Sequence, residues 1–537
     1  MFGLTEILIC FILTILIGLY CSSLYINSFW KRNKIPFISA KPIAGNLLDL
    51  LLFRKSVAEI FSDIYNDPAT SHKPFVGIHF FHKPALVIKD PELIKQVLVK
   101  DFNSFNDRHS ASDIHTDILG STNLFFIRNP AWKLLRGRLS PFFTSGKMKQ
   151  MFHLMKNIGN EMNDTLLSFK LDANKQTFST DIKDILARYT TDVIASCAYG
   201  VEANSLKNPE SEFRKNGAYL STMLSVIFTG RVKSFLGKRI FDFNWYRAVE
   251  FSSIFFIPEL VPLFKFKAFS KQSTTFLRNT INYIIGERER TGSVRNDLID
   301  TLITLKNEDK SKTLTATNVV FQDDVIVAQA AVFFTAGYET SSTIMSFGLY
   351  ELAFQLDIQK KLRQEIKETL LASKGELTYD IVQNMVYLNM VVQEMLRMYP
   401  PLPFLDRLCT NPEGYSLEPH DNFVIPHKMP IVIPVFAIQR DPKYWPNPNK
   451  FDPERFSAAN KDKIVPYTFL PLGTGPHNCI GERFGILQTK IGLINFMKNH
   501  HVTPTENTPR VLQFEPKALI IQSKGGMVLN VVRDPLF

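Results

Sequence analysis

Between Val320 and Leu356 the chain has no proline, and its apolar residues recur at helical spacing. At about 1.5 Å per residue, such a run predicts one helix long enough to cross a whole domain. The rest of the fold must pack around it. In its middle stands Ala336-Gly-Tyr-Glu-Thr340. Gly337 costs a helix about 1 kcal/mol against alanine, which suits a place where the backbone widens to give a ligand room. Thr340 carries a hydroxyl that can leave its backbone partner, and Glu339 sets an acid beside it, so the pair suits proton donation. A kink with a back-bonding threonine explains the same residues without chemistry.

A second constraint lies near the C-terminal end, in Phe469-Leu-Pro-Leu-Gly-Thr-Gly-Pro-His-Asn-Cys479-Ile-Gly481, directly before another helical pattern. Gly473, Gly475 and Gly481 let the backbone bend and lie against a flat group. Pro471 and Pro476 discourage a regular ladder and leave N–H groups to point at the sulfur. The helix that follows aims its positive end at the same place, which favours the thiolate. Taken alone, a buried cysteine in a turn is the commoner explanation. Gly473-Thr-Gly475 has no third glycine at the right offset, which excludes a dinucleotide fingerprint.

Two further pairings and two single arginines stand out. Trp132 and Arg136, at i and i+4, share a helix face, as an exposed arginine over a packed tryptophan would. Glu394 and Arg397, at i and i+3, fit an ordinary helix salt bridge. Arg455 follows in Phe451-Asp-Pro-Glu-Arg455-Phe, and Arg407 follows the loop Leu402–Asp406.

Together these motifs, in this order along nearly the whole chain, resemble the signature set of the cytochrome P-450 family of haem-thiolate monooxygenases. The resemblance implies a mainly α fold with a smaller β region, the cytochrome P-450 fold, preceded by an N-terminal transmembrane helix. It makes Cys479 the axial ligand of haem b, an iron protoporphyrin IX. It places Ala336 and Gly337 beside that cofactor and gives Glu339 and Thr340 the handling of protons. Trp132, Arg136, Arg407 and His477 fall at positions that contact haem propionates, with Gly475 and Gly481 shaping the loop. Glu394, Arg397 and Arg455 form a buried network that supports the loop. The family's loop reads Phe-x-x-Gly-x-Arg-x-Cys-x-Gly, whereas this chain has Leu472 for the phenylalanine and His477 for the arginine. With a reference pKa near 6.5, His477 is only partly charged at neutral pH, so looser haem retention is expected, more so above neutrality. The segment 192–214 resembles the microsomal insect enzymes that handle foreign compounds.

The resemblance further implies electrons from NADPH through a separate cytochrome P-450 reductase, with cytochrome b5 as an additional donor. Docking is expected on a basic face that includes Lys133, Arg138 and Arg483. Apolar substrates are expected to meet the 108–129 loop, Phe333, Phe334, Ala336, the 402–406 loop and the 522–527 tail. Two other readings stay open: an isomerase or lyase acting on oxygenated lipids, and a haem protein that binds ligands without turnover.

Composition agrees with these readings. With 537 residues, 45% of them hydrophobic, the chain can bury a large core, and no linker, repeat or low-complexity tract divides it. Five scattered cysteines form no CxxC pair, which points to a reducing cytosol around the main body. The net charge of +11 is dispersed, which excludes a nucleic-acid patch and suits an acidic protein partner or an anionic membrane.

From Ile7 to Trp30 no residue is charged, and Lys31, Arg32 and Lys34 follow. This predicts an uncleaved signal anchor at 1–30, in the endoplasmic reticulum membrane with the main body cytosolic. A basic, proline-punctuated connector at 31–45 and a haem-thiolate catalytic domain at 46–537 complete the expected layout. Strands are expected at 75–81 and 85–88, with a helix opening at Asp90-Pro91. The stretch 287–312 reads as surface helix and loop. The run 228–269 mixes phenylalanines with Arg231, Lys233, Lys238, Arg239, Lys265 and Lys267, which suits either core or a surface dipping into the membrane interface.

Overall fold

Of the 537 residues, the structure, a computed structural model, describes 4–172, 176–211, 213, 243–309 and 323–537. The proline-free run forms one unbroken helix, Asp323–Phe354, of 32 residues. The expected first turn, 320–322, lies outside the described residues. The helix stops two residues early because Gln355 leaves helical backbone (φ −114°, ψ 66°), and a new helix begins at Leu356. Nearly every side of the central helix is buried, which is why its sequence is apolar all round rather than striped.

Around it pack the helices Ile182–Ile194, Val386–Met398 and Glu482–Met497. A Cβ added to Gly337 would stand 2.8 Å from Cδ1 of Ile194. Its missing side chain is therefore filled by the neighbouring helix, and the expected widening of the backbone does not occur. Such close approach is a use of glycine that a single sequence cannot separate from ligand clearance.

Beside the helices lies a four-stranded sheet in the order Phe75–Phe80, Lys83–Ile88, Pro430–Ile433, Leu405–Leu408. The first two strands form the predicted hairpin, paired Phe75↔Ile88 through Phe80↔Lys83. Arg407 pairs with Ile431, which fixes its strand against the middle of the sheet. The helix Pro91–Lys95 starts as predicted, with Asp90 accepting from the N–H groups of Glu92 and Leu93. A three-stranded sheet (Thr177–Asp181, Val528–Arg533, His500–Pro504) and a two-stranded one complete the β region.

At the N-terminus a 24-residue helix, Leu4–Asn27, is formed, but several of its side chains lie outside the described residues. Among the described residues no helix is long and apolar enough to cross a membrane. The segment expected as a connector lies against the first strand, where the Gly77 N–H donates to Pro36 O at 2.8 Å and the Ile38 N–H to Gly77 O at 3.0 Å. Trp30 is fully buried in the core beneath the sheet and donates from Nε1 to the Ile78 carbonyl at 2.8 Å. A Cβ on Gly77 would meet that indole at 2.3 Å. The end of the first helix also meets the body, through Ser23 Oγ accepting from Ile43 N at 2.6 Å and Ile26 O lying 3.1 Å from His79 Nε2.

Two other expectations change. The stretch 287–312 is not all surface: Arg288 is buried and contacts Asp297 and Asp300 at 2.5 Å each, while 310–312 lie outside the described residues. In the run 228–269, residues 228–242, including Arg231, Lys233, Lys238 and Arg239, lie outside the described residues. In the described part Phe251, Phe255, Phe256, Phe266 and Phe269 are core, whereas Leu263 and Phe264 are 71% and 55% exposed beside exposed Lys265.

Candidate active site

The cysteine loop is shaped by its backbone. Gly473 and Gly475 both take φ +71°, a conformation that L side chains rarely adopt. A Cβ on Gly475 would also lie 2.0 Å from the Leu98 carbonyl oxygen. Gly481 differs: its φ is −89°, and a Cβ there would meet nothing closer than Phe143 at 3.7 Å. The N–H of Cys479 donates to Leu472 O at 2.8 Å, which turns the thiol into a cavity. Depth in the protein pushes that thiol up from its usual range, while the Gly481 N–H and the guanidinium groups of Arg136 and Arg108 pull it down. The helix Glu482–Met497 starts directly behind it.

The cavity encloses ≈ 1730 Å³ of space not filled by atoms, part of it open to solvent, between the cysteine loop and the central helix. Phe333, Ala336, Gly337 and Thr340 line it on the helix side, and Leu472, Gly473, His477 and Cys479 on the other. Residues 329, 333, 336 and 340 fall on one helical face, because offsets of 4, 7 and 11 each return near the same direction. Thr340 Oγ1 donates to Ala336 O at 2.6 Å, so its hydroxyl is back-bonded in an unkinked helix. Glu339 is not brought to the cavity wall. It is buried behind the helix, with Oε1 2.9 Å from Lys183 Nζ and accepting from Gln522 Nε2 at 2.6 Å.

At one edge of the cavity three guanidinium groups converge. Arg136, on the helix Ala131–Leu139, donates to Asn478 O at 2.9 Å and to its Oδ1 at 2.7 Å. Arg407 is buried, donates to Asp406 O at 2.7 Å and leaves its Nε without a partner. Burial and the nearby Arg108 push Arg407 down to about 9. Arg108 lies 3.4 Å from Asp406, and its Nε too has no partner. The single carboxylate of Asp406 leaves this cluster with excess positive charge. Buried guanidinium atoms lacking partners call for carboxylates. Together with a thiol facing the same space, the donor set fits an iron porphyrin with two acid side arms.

His477 joins the cluster but not as a cation. Its ring centre lies 3.7 Å from that of Trp132 with the planes tilted by 38°, and Nε2 is bonded to Asn106 O at 2.8 Å. Burial, then Arg407 and Arg108, hold it down to about 2, so it stays neutral well beyond the physiological range. The expected loosening above neutral pH through His477 therefore has no titrating group behind it.

Glu394 and Arg397 are both fully buried and bonded twice, at 2.7 and 2.8 Å. Arg455 approaches Glu394 at 3.4 Å, and the Asp452 N–H donates to Glu394 at 2.8 Å. These contacts tie the helix Val386–Met398 to the turn Pro453–Phe456.

Other expected contributors divide. Leu402, Arg108, Leu124 and Phe125 line the cavity, whereas Phe334 stacks against Tyr199 in the core and the 522–527 tail contributes no wall. Lys133 and Arg483 are exposed, but Arg138 is engaged with Asp309 and Glu308 and is not a free surface cation. Sequence reasoning missed Arg108 as a member of the guanidinium cluster, and no local motif marks it. It also missed Gln439, whose Oε1 accepts from Leu470 N at 2.7 Å while Nε2 donates to Arg397 O at 2.8 Å. One buried amide thus joins the Glu394 network to the start of the cysteine loop.

Comparison with known proteins agrees with this geometry. The family model described as Cytochrome P450 matches residues 36–530. "Probable cytochrome P450 6g2" of Drosophila melanogaster is 46% identical over 536 residues, 99% of each chain. "Cytochrome P450 6k1" of Blattella germanica is 40% identical over 534 residues, covering 97% of this chain and 96% of that one. These are insect proteins, as the resemblance of 192–214 implies. A match spanning both walls of the cavity, and relatives alike from end to end, establish that the chain belongs to the cytochrome P450 family of haem-thiolate monooxygenases.

Proposed function

We propose that this chain is anchored in the endoplasmic reticulum membrane and inserts one oxygen atom of O2 into apolar foreign compounds, with electrons drawn from NADPH through a separate flavoprotein reductase. The observation that carries the reading is an apolar cavity with a lone thiol on one wall, a helical threonine on the other and unsatisfied guanidinium groups at its edge.

Cys479 would ligate the haem iron, and Arg407, Arg136 and Arg108 would pair with its carboxylates, with Trp132 and His477 packed beside them. Gly481, whose backbone alone does not require glycine, keeps the loop flat on that side. When bound, the haem supplies the activation of dioxygen by a thiolate-ligated iron. The chain's residues do the rest. Thr340 holds its hydroxyl proton on Ala336 O at the cavity wall, and release of that bond presents the proton to the reacting side. Glu339, buried behind it on Lys183 and Gln522, would have to turn away from both partners before it could exchange a proton with the cavity. Phe333 and Phe125 exclude water and favour apolar substrates, while Leu472 would shield the thiolate on the opposite wall.

Support for the membrane reading comes from the helix Leu4–Asn27, where Phe11, Leu13, Ile17 and Tyr20 stand exposed and Lys31 and Arg32 follow. Exposed Leu263 and Phe264 form a second apolar contact. Lys133 and Arg483 are free to meet an acidic partner, either the reductase or cytochrome b5.

The test is spectral and catalytic. The reduced, carbon-monoxide-treated protein should show the red-shifted absorbance of thiolate ligation, and Cys479→Ala should abolish it. NADPH consumption with product should require added reductase. Absence of the band in haem-supplied wild-type protein refutes the assignment.

A further inference from the structure

The cavity's roof is a long segment, 106–130, with only one short helix of its own, Ile118–Thr122. A connection of that length needs pins to hold one conformation. Asn123 ties the segment to itself: its Oδ1 accepts from the N–H groups of Phe125 and Phe126, and its Nδ2 donates to Leu119 O. One side chain of the central helix, Gln329, ties it to the scaffold. Gln329 is fully buried; its Oε1 accepts from Leu124 N at 3.0 Å and its Nε2 donates to Thr122 O at 2.9 Å. The same amide reaches Val325 O at 3.1 Å, which fixes its rotamer. No other side chain of the central helix, among the described residues, bonds to this backbone.

Gln329 stands two helical turns before Ala336 on the cavity-facing stripe, about 10 Å along the axis. The residues it holds, Leu124 and Phe125, point into the cavity. Phe125 is further fixed by Arg108, whose guanidinium lies 4.3 Å from its ring centre. The height of the roof above the cysteine loop is thus set by an amide rooted in the buried 32-residue central helix.

We propose that Gln329 is a positioning residue for substrate selection: by holding Leu124 and Phe125 at a fixed height, it sets how large an apolar molecule is gripped above the haem. The inference rests on the reading that this cavity holds haem and apolar substrates. A ligand too small to reach the roof does not sense the tether, whereas a bulky one does.

The test uses the full-length holoenzyme and two azoles that bind haem iron, imidazole as the small probe and clotrimazole as the bulky one, titrated by absorbance. Gln329→Met keeps volume and helix propensity but removes both roof hydrogen bonds. It should retain the carbon-monoxide band, bind imidazole as wild type does and bind clotrimazole about five-fold more weakly, the worth of about one net hydrogen bond. Gln329→Glu, whose buried neutral carboxyl can both accept and donate, should recover most of the clotrimazole affinity. Leu124→Ala leaves the tether intact and shortens what it holds, so the same selective loss is expected. Unchanged clotrimazole binding in Gln329→Met and Leu124→Ala, or equal weakening of both azoles, overturns the proposal. Loss of the carbon-monoxide band in Gln329→Met makes the amide a folding group and overturns it as well. A wild-type protein with no band and no azole response sinks the haem reading itself, which is a different failure.

Discussion

Arg397 has its guanidinium surrounded: Glu394 takes two of its N–H groups, and the carbonyls of Gln439 and Pro448, each at 2.8 Å, take others. The ring of Trp445 lies 5.4 Å from its central carbon. Such a buried pair adds little net stability over an apolar pair, but breaking it leaves one charge uncompensated. Glu394→Gln should therefore cost about 3–5 kcal/mol in chemical denaturation and lower haem content, although neither residue touches the cavity. At this scale the sequence was legible where a residue type has few other uses. A lone cysteine between glycines, or an acid and a base at i and i+3, can be picked out as a candidate, although its role follows only from the company of the other motifs. Gln439 does not, because a buried glutamine carries no local signature. Glu339 shows the opposite limit: its type and neighbour were read, and helical rotation sets it off the cavity stripe, but what that side faces, Lys183 and Gln522, comes from far away in the chain.

Among elements, the central helix was the most legible, because a long run without proline has few other fates. Its glycine lines the cavity and also admits Ile194, without the expected widening of the backbone. Adding a methyl at Gly337 gains about 1 kcal/mol of helix propensity but crowds Ile194 Cδ1, and overpacking of this kind costs about 1–3 kcal/mol. Gly337→Ala should thus be neutral to destabilising alone. Combined with Ile194→Val, which removes the crowded carbon, it should show a favourable coupling of about 1 kcal/mol in a double-mutant cycle. Additive effects would mean that the glycine serves something other than this contact. The roof segment 106–130 is the converse case. Its pins, Asn123 and Gln329, act on backbone groups, and no periodicity in the segment foretells where they attach.

For the molecule as a whole, buried histidines make folding sensitive to acid. His500 is fully enclosed, with Phe178 and Phe496 against its ring. Burial, with Arg533 and Arg363 nearby, pushes it down to about 4. The unfolded chain binds that proton near pH 6.5, while the folded protein refuses it until about 4. The contribution to stability is therefore complete above pH 6.5 and is lost progressively as pH falls toward 4. His500→Phe should remove on the order of 2 kcal/mol of this loss, seen as a smaller drop in melting temperature between pH 7 and pH 5 than in wild type. An equal drop in both proteins would contradict the assignment. At this scale, too, the N-terminal region is tied to the body. Trp30 looks like the last residue of an apolar run, yet it closes the core beneath the sheet, which ties the first helix to the body through a packed indole.

The sequence by itself determined the chemistry through the set and order of its motifs: the thiol loop, the proline-free run and the acid–base spacings each have an ordinary explanation alone, and it is their succession along one chain that resembles a single family. Only the tertiary structure decided what each group faces. It set Arg108 beside Arg407, turned Glu339 behind its helix, kept His477 neutral and gave Gln329 the roof to hold. Those outcomes depend on burial and on partners as many as three hundred positions apart, and proximity of that kind leaves no trace in a local pattern of residues.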